Sequence, residues 1–142
     1  DQQGMPRGRA LLNGGAARYR TYKTADDQWL ALGAVEPKFW QAFCLAADHP
    51  EWIERINDGL PQTELQRELE HYFAGLTMWE CEQRFGQVDC CVNRVAPLAQ
   101  ALNSEHIQTR ALVSEQDGVM QALFPAYVDG KPPATRPPFR QP

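Results

Sequence analysis

The side chains able to do chemistry here are few and scattered. Glu36 stands directly before a proline in the run Gly33-Ala34-Val35-Glu36-Pro37-Lys38-Phe39-Trp40. Proline is favoured at the first helical position, where its missing N–H costs nothing, so the spacing places Glu36 at the end of a strand and the start of a helix. There it lies near the positive end of the helix dipole, which stabilises an acid with or without a chemical role. Cys44, Cys81, Cys90 and Cys91 form no CxxC pair, and together with His49, His71 and His106 they lack zinc-ligand spacing. The thiols read as buried and reduced, with redox chemistry confined to the vicinal Cys90-Cys91 pair. A minimal enzyme built on Glu36 and a cysteine finds no base–nucleophile spacing to support it. The histidines read as surface or structural residues.

The elements that must carry Glu36 are legible on both sides of it. Tyr19, Thr21 and Lys23 alternate with Arg20, Tyr22 and Thr24, and Trp29 to Ala34 is a short apolar run; with Asp26-Asp27 between them they read as a β-hairpin. Asp27 takes the turn position where left-handed backbone is wanted, which aspartate tolerates better than most residues. Helix one is expected from Pro37 to Ala47, with Phe39, Trp40, Phe43, Cys44 and Ala47 on its apolar face. Glu51 to Asp58 reads as a shorter amphipathic piece stopped by Gly59, and Gln62 to Ala74 as helix two, burying Leu65, Leu69, Tyr72, Phe73 and Leu76. Thr77-Met78-Trp79-Glu80 is a capping box opening helix three, which is expected to bury Trp79 with Phe85 and to end at Gly86. Val88 to Val92 is β-prone and reads as a third strand. A short helix to Leu102 follows, then a helix capped by Ser104 and running through Arg110. Val119 to Leu123 and Tyr127-Val128 read as strands, with Asp129-Gly130 turning after them.

The fold class is therefore α+β: a small antiparallel sheet, a hairpin plus one further strand, packed with about four helices and followed by an extended proline-rich C-terminal tail. Residues 1–17 read as a glycine-rich extended linker carrying Arg7 and Arg9. Residues 18–103 form the small α+β domain. Residues 104–142 form a C-terminal segment and tail in which Pro132, Pro133, Pro137, Pro138 and Pro142 forbid helix or central strand.

The 142 residues suffice for one cored domain, and a net charge of -4 argues against nonspecific nucleic-acid binding. It leaves room for a local basic patch that meets a phosphorylated ligand. No apolar run approaches the ~20 residues of a membrane span, and the first residues lack an apolar signal-peptide core. A cytoplasmic setting is expected. The chain begins at Asp1, so it is read as a piece of a longer protein. The glycines near the start lack the strand and helix context of a dinucleotide site.

The run Gly33 to Trp40, preceded by Y-x-T-x-D-x-x-W-L-A-L, resembles the small domain of the family III CoA-transferase superfamily (CaiB/BaiF type) and is most similar to its α-methylacyl-CoA racemase branch. Leu11 to Tyr19, Asp89 to Val92 and Arg136 to Arg140 match in order, although Asp27 replaces a usual glycine and Arg94 a common proline. The resemblance implies a missing N-terminal α/β domain holding most of the CoA site and the catalytic histidine and aspartate, within an interlocked homodimer. It implies a CoA thioester as substrate, no covalently bound cofactor, and α-proton transfer on a 2-methylacyl-CoA through an enolate. Glu36 would then support the histidine of the other domain by a hydrogen bond and an opposite charge. Arg7 and Arg9 would meet CoA phosphates, or simply be solvated in a linker. The chain alone is expected to be inactive. A part of a CoA-transferase moving CoA between carboxylic acids, and a stand-alone binding or dimerisation module, are the alternatives. The apolar Trp29, Leu30, Phe39, Trp40 and Trp79 would serve the latter.

Overall fold

In the computed structural model, which describes residues 6–131 and 134–135, the chain divides into two compact units, Asp1–Val95 and Ala96–Pro142. In the first unit β1 (Tyr19–Lys23) and β2 (Trp29–Gly33) pair antiparallel, with Tyr22 opposite Leu30 and Tyr19 opposite Gly33. β3 (Val92–Arg94) adds to the other side of β2, giving the order β1-β2-β3. Side chains alternate across a strand, so Tyr22, Leu30 and Leu32 turn to one face and are buried, while Tyr19, Thr21 and Trp29 remain exposed. The buried face packs on α1 (Pro37–Ala46), a 3-10 helix (Pro50–Asn57), α2 (Thr63–Ala74) and α3 (Met78–Phe85). Phe43 of α1 sits at the centre, its ring 5.4 Å from those of Trp40 and Phe85, 6.0 Å from Phe73 and 6.4 Å from Trp52.

The hairpin forms as expected, and Asp27 adopts φ 60°, the left-handed conformation that its place in the turn demands. The turn also serves α3. Asp26 Oδ1 accepts the Met78 N–H at 3.0 Å and the Ala25 N–H donates to the Leu76 carbonyl, while Thr77 and Glu80 complete the capping box. Both acids are thereby held below their ordinary pKa: Asp26 by the Thr24 hydroxyl first and the Met78 amide among other donors, Glu80 by the Thr77 hydroxyl and amide.

Three details depart from the sequence reading. Trp79 is 67% exposed rather than buried. The core face of α3 is Met78, Cys81 and Phe85, and the residue after Met78 is rotated about 100° away from it. The third strand begins at Val92 instead of Val88, because Cys90 drops into the core and Cys91 takes φ 56°, which breaks the extended run.

Over its described residues, 6–18, the segment before β1 is not extended. Leu11–Asn13 is a 3-10 turn, and Gly15, Ala16 and Ala17 are buried. A Cβ on Gly15 would lie 2.5 Å from the Arg9 backbone, so only glycine fits. Two buried amides tie this segment to α2. Gln62 Oε1 accepts the Ala17 N–H at 3.0 Å, and its Nε2 donates to the carbonyls of Arg55 and Asp58. Gln66 Nε2 donates to the carbonyls of Gly14 at 3.0 Å and Gly15 at 2.7 Å.

The second unit contains α4 (Leu98–Leu102), α5 (Glu105–Thr109) capped by Ser104, and a hairpin of β4 (Val113–Gln116) and β5 (Val119–Ala122). Asp117 and Gly118, both left-handed, make its two-residue turn. Tyr127 joins no strand, whereas Val128 bridges to Lys131 around Asp129-Gly130. The closing run Arg136 to Arg140 and the tail prolines Pro132, Pro133, Pro137, Pro138 and Pro142 lie outside the described residues.

Three outcomes follow for equilibrium unfolding in urea. Gln66→Leu removes the donor that serves two buried carbonyls and lowers stability by about 1–3 kcal/mol. Asp27→Gly stays within about 1 kcal/mol of the parent, whereas Asp27→Val, with a β-branched side chain in left-handed backbone, loses about 1–2 kcal/mol. Because the folded-state pKa values of Asp26 and Glu80 are depressed, their contribution is present above the unfolded pKa and lost as pH falls through the folded one. The stability gap between the parent and Asp26→Asn should therefore begin to narrow as pH falls below about 5 and keep closing below the ordinary carboxylate range, through the depressed folded pKa; a gap that stays constant with pH refutes the charge-based cap.

Candidate functional site

β2 runs out at Gly33, and the chain crosses Ala34 and Val35 to reach Glu36, the N-cap of α1. Proline at the next position disfavours helical backbone for the residue before it. Glu36 accordingly sits at φ -76°, ψ 143°, while its carbonyl accepts the N–H groups of Phe39 and Trp40 at 3.1 Å. The carboxylate makes no capping bond and is exposed. An N-cap serine or aspartate folds its short side chain back onto the helix amides. Here the acid leaves the capping to its own backbone and faces outward.

The sheet brings further groups to this junction. The Gly33 N–H donates to the Cys91 carbonyl at 2.9 Å, so the residue before β3 lies beside the end of β2. Burial first, then the negative charges of Asp89 and Glu36, pushes the Cys91 thiol up, while the ammonium of Lys38 opposes them. Lys38 rests 4.4 Å from the Phe39 ring centroid. Glu36, Lys38, Asp89 and Cys91 thus share one electrostatic neighbourhood. A thiol raised in this way stays protonated near neutral pH and makes a poor nucleophile. Cys44, Cys81 and Cys90 are buried, and burial raises all three, Cys44 to about 12 and Cys81 to about 11.

From the junction a groove of about 410 Å³ opens over the exposed face of the sheet, floored by Thr21, Ala31 and Gly33 and walled by Tyr19, Cys91 and Asn93. A second hollow of about 440 Å³ lies between α3 and β3 and shares Cys91 and Asn93 with it. Cys91 and Asn93 were not among the sequence-predicted site residues. In the sequence Cys91 stood out only as half of a vicinal cysteine pair and Asn93 only as the flank of a β-prone run; the approach of Cys91 to Gly33 and of Asn93 to Ala31 depends on β3 adding next to β2.

Arg7 and Arg9 are exposed on the turn that precedes β1, and Gly15 packs against the Arg9 backbone. Among the described residues no hydrogen bond or ion pair links either arginine to Glu36. The histidines lie elsewhere: His49 bonds Glu51 through Nδ1 at 2.7 Å and stacks on Trp52 with centroids 3.9 Å apart, and His71 and His106 are exposed. Among the described residues no group of three or more histidine, cysteine, aspartate or glutamate side chains could hold a metal ion, and no helix is long and apolar enough to cross a membrane.

The chain is similar to several known proteins. The alpha-methylacyl-CoA racemase of Mus musculus is 32% identical over 132 residues, covering 92% of this chain and 34% of that protein. The CaiB/baiF CoA-transferase family protein ZK892.4 of Caenorhabditis elegans is 38% identical over 88 residues, covering 61% of this chain and 24% of that protein. The chain therefore spans about a third or less of the length of the curated relatives it matches. Among solved structures, the hypothetical protein Rv3272 from Mycobacterium tuberculosis has the same fold, with a TM-score of 0.65 and 21% identity over 82% of this chain and 35% of that one. A model of CoA-transferase family III matches residues 1–139, and the chain belongs to that family.

Proposed function

We propose that this chain is the small domain of an acyl-CoA racemase-like enzyme and contributes Glu36 to an active site completed by a separate α/β domain. The observation that carries the reading is an exposed carboxylate, unused by its own helix, at a strand-to-helix junction in a chain similar over most of its length to an alpha-methylacyl-CoA racemase. In the proposed reaction a base of the α/β domain takes the α-proton of a 2-methylacyl-CoA, the thioester carbonyl holds the resulting enolate, and an acid returns a proton to either face. Glu36 hydrogen-bonds the imidazole of that domain and stabilises its charged form, which fixes the ring for the transfer. CoA is a substrate here, and no covalently bound cofactor is required. Arg7 and Arg9 meet its phosphates in this reading. The assembled enzyme is a homodimer in the cytoplasm, and the small domain alone is inactive.

A second reading, a CoA-transferase moving CoA between carboxylic acids, draws on the family description and on the similarity to the Caenorhabditis elegans protein. A third, a binding or dimerisation module, draws on the exposed Trp29 and Trp79, although Leu30 and Trp40 are core residues.

The readings separate by exchange of the α-proton of a 2-methylacyl-CoA in deuterated buffer. The chain alone should give none, and the chain with the α/β domain should exchange, with Glu36→Gln lowering kcat about 10- to 100-fold. CoA transfer without exchange would favour the transferase, and exchange by the chain alone would overturn the proposal.

A further inference from the structure

Glu36 is exposed, yet the backbone that carries it is held from both sides. Pro37 keeps it out of helical backbone on the C-terminal side. On the N-terminal side, the Val35 N–H closes a tight turn onto the Gly33 carbonyl at 2.9 Å. The Val35 carbonyl, part of the peptide that leads into Glu36, accepts Nε of Arg18 at 3.4 Å. The same guanidinium reaches the Ile56 carbonyl in the 3-10 helix through NH1 at 3.2 Å. Arg18 is half-buried, and burial lowers its pKa, so no solvated surface cation explains its placement. One planar fork ties the β2–α1 junction to a separate helical segment, a task that an ammonium does not match because it lacks the fixed geometry.

Resting on the reading of Glu36 given above, we infer that Arg18 is a positioning residue for Glu36: by clamping the Val35 and Ile56 carbonyls it fixes the direction in which the carboxylate leaves the junction. Glu36 spends no side-chain bond on its own helix, so its aim is set through the backbone, and Arg18 supplies one of the three constraints, beside Pro37 and the Val35–Gly33 turn. The role is orientation, and the effect belongs in kcat with KM little changed.

The test is a double-mutant cycle in the complete two-domain protein, with α-proton exchange as the readout. Arg18→Met should lower kcat about 10-fold in the parent, with KM within about 2-fold, and should have no further effect in the Glu36→Gln background. Arg18→Lys should recover only part of the loss, and urea midpoints should show every variant folded under assay conditions. An equal loss in both backgrounds would make Arg18 a general structural residue and overturn the inference, as would full activity of Arg18→Met. A parent-like Glu36→Gln would instead refute the role of Glu36 and remove the inference with it, an outcome distinct from the other two.

Discussion

Every helix of the first unit's core is gathered around the ring of Phe43. It is fully buried and meets aromatic rings from α1 itself, from the 3-10 helix, from α2 and from α3. Aromatic contacts at these separations contribute about 0.5–1.5 kcal/mol each beyond the area they bury, and they restrict geometry because tilted and offset pairs are preferred. The polar ends of the cluster are satisfied. Trp40 Nε1 donates to the carbonyl of Trp52 at 3.0 Å, and Trp52 Nε1 donates to Glu68, which Arg55 also holds. Burying the indoles therefore leaves neither N–H unpaired, and α1 is fixed in rotation and along its axis.

Fixing α1 fixes Glu36, because the acid is its N-cap. The sheet anchors the other end of the same short crossing, through Leu30 and Leu32 in the core and Gly33 against Cys91. A carboxylate between two such anchors pays little ordering entropy in the backbone when it meets a partner, which is the physical content of preorganisation. Charges of both signs act on the nearby Cys91 thiol, Asp89 and Glu36 raising its pKa and Lys38 lowering it. The opening over the sheet face reaches the end of β2 at Gly33, and Glu36 is not part of its lining.

Polar contacts at a distance complete the frame. The Gln62 and Gln66 amides hold the backbone before β1 against α2, and Asp26 reaches from the hairpin turn to the start of α3. Each joins residues 45 to 52 apart in sequence through one or two hydrogen bonds. Such bonds fix register and direction more than they add stability, since the net gain per bond is about 1 kcal/mol.

The local elements were legible because their signals are local. Alternation marked β1 and β2, Pro37 marked the start of α1, and Thr77 with Glu80 marked the start of α3. The turn aspartate was read correctly at Asp27, whereas the Asp117-Gly118 turn carried an equally strong signal that went unused. The misplacements ranged from one helix face at Trp79 to four residues at the start of β3. Trp79 and Met78 are neighbours with equal claims to the core, and only packing against Phe43 and its partners chose Met78. Val88 to Val92 has strand propensity, but Cys90 gains more by burial than by pairing. The glycines near the start suggested an extended segment until Gln62 and Gln66 were seen to hold it folded. The sequence alone thus determined that an acid precedes a helix at the end of a strand, because proline, alternation and capping act over a few residues. Only the tertiary structure decided that Arg18 holds the carbonyl just before that acid and that Cys91 lies against the end of the strand leading to it, because strand order and helix packing bring together groups whose spacing in the chain carries no signal.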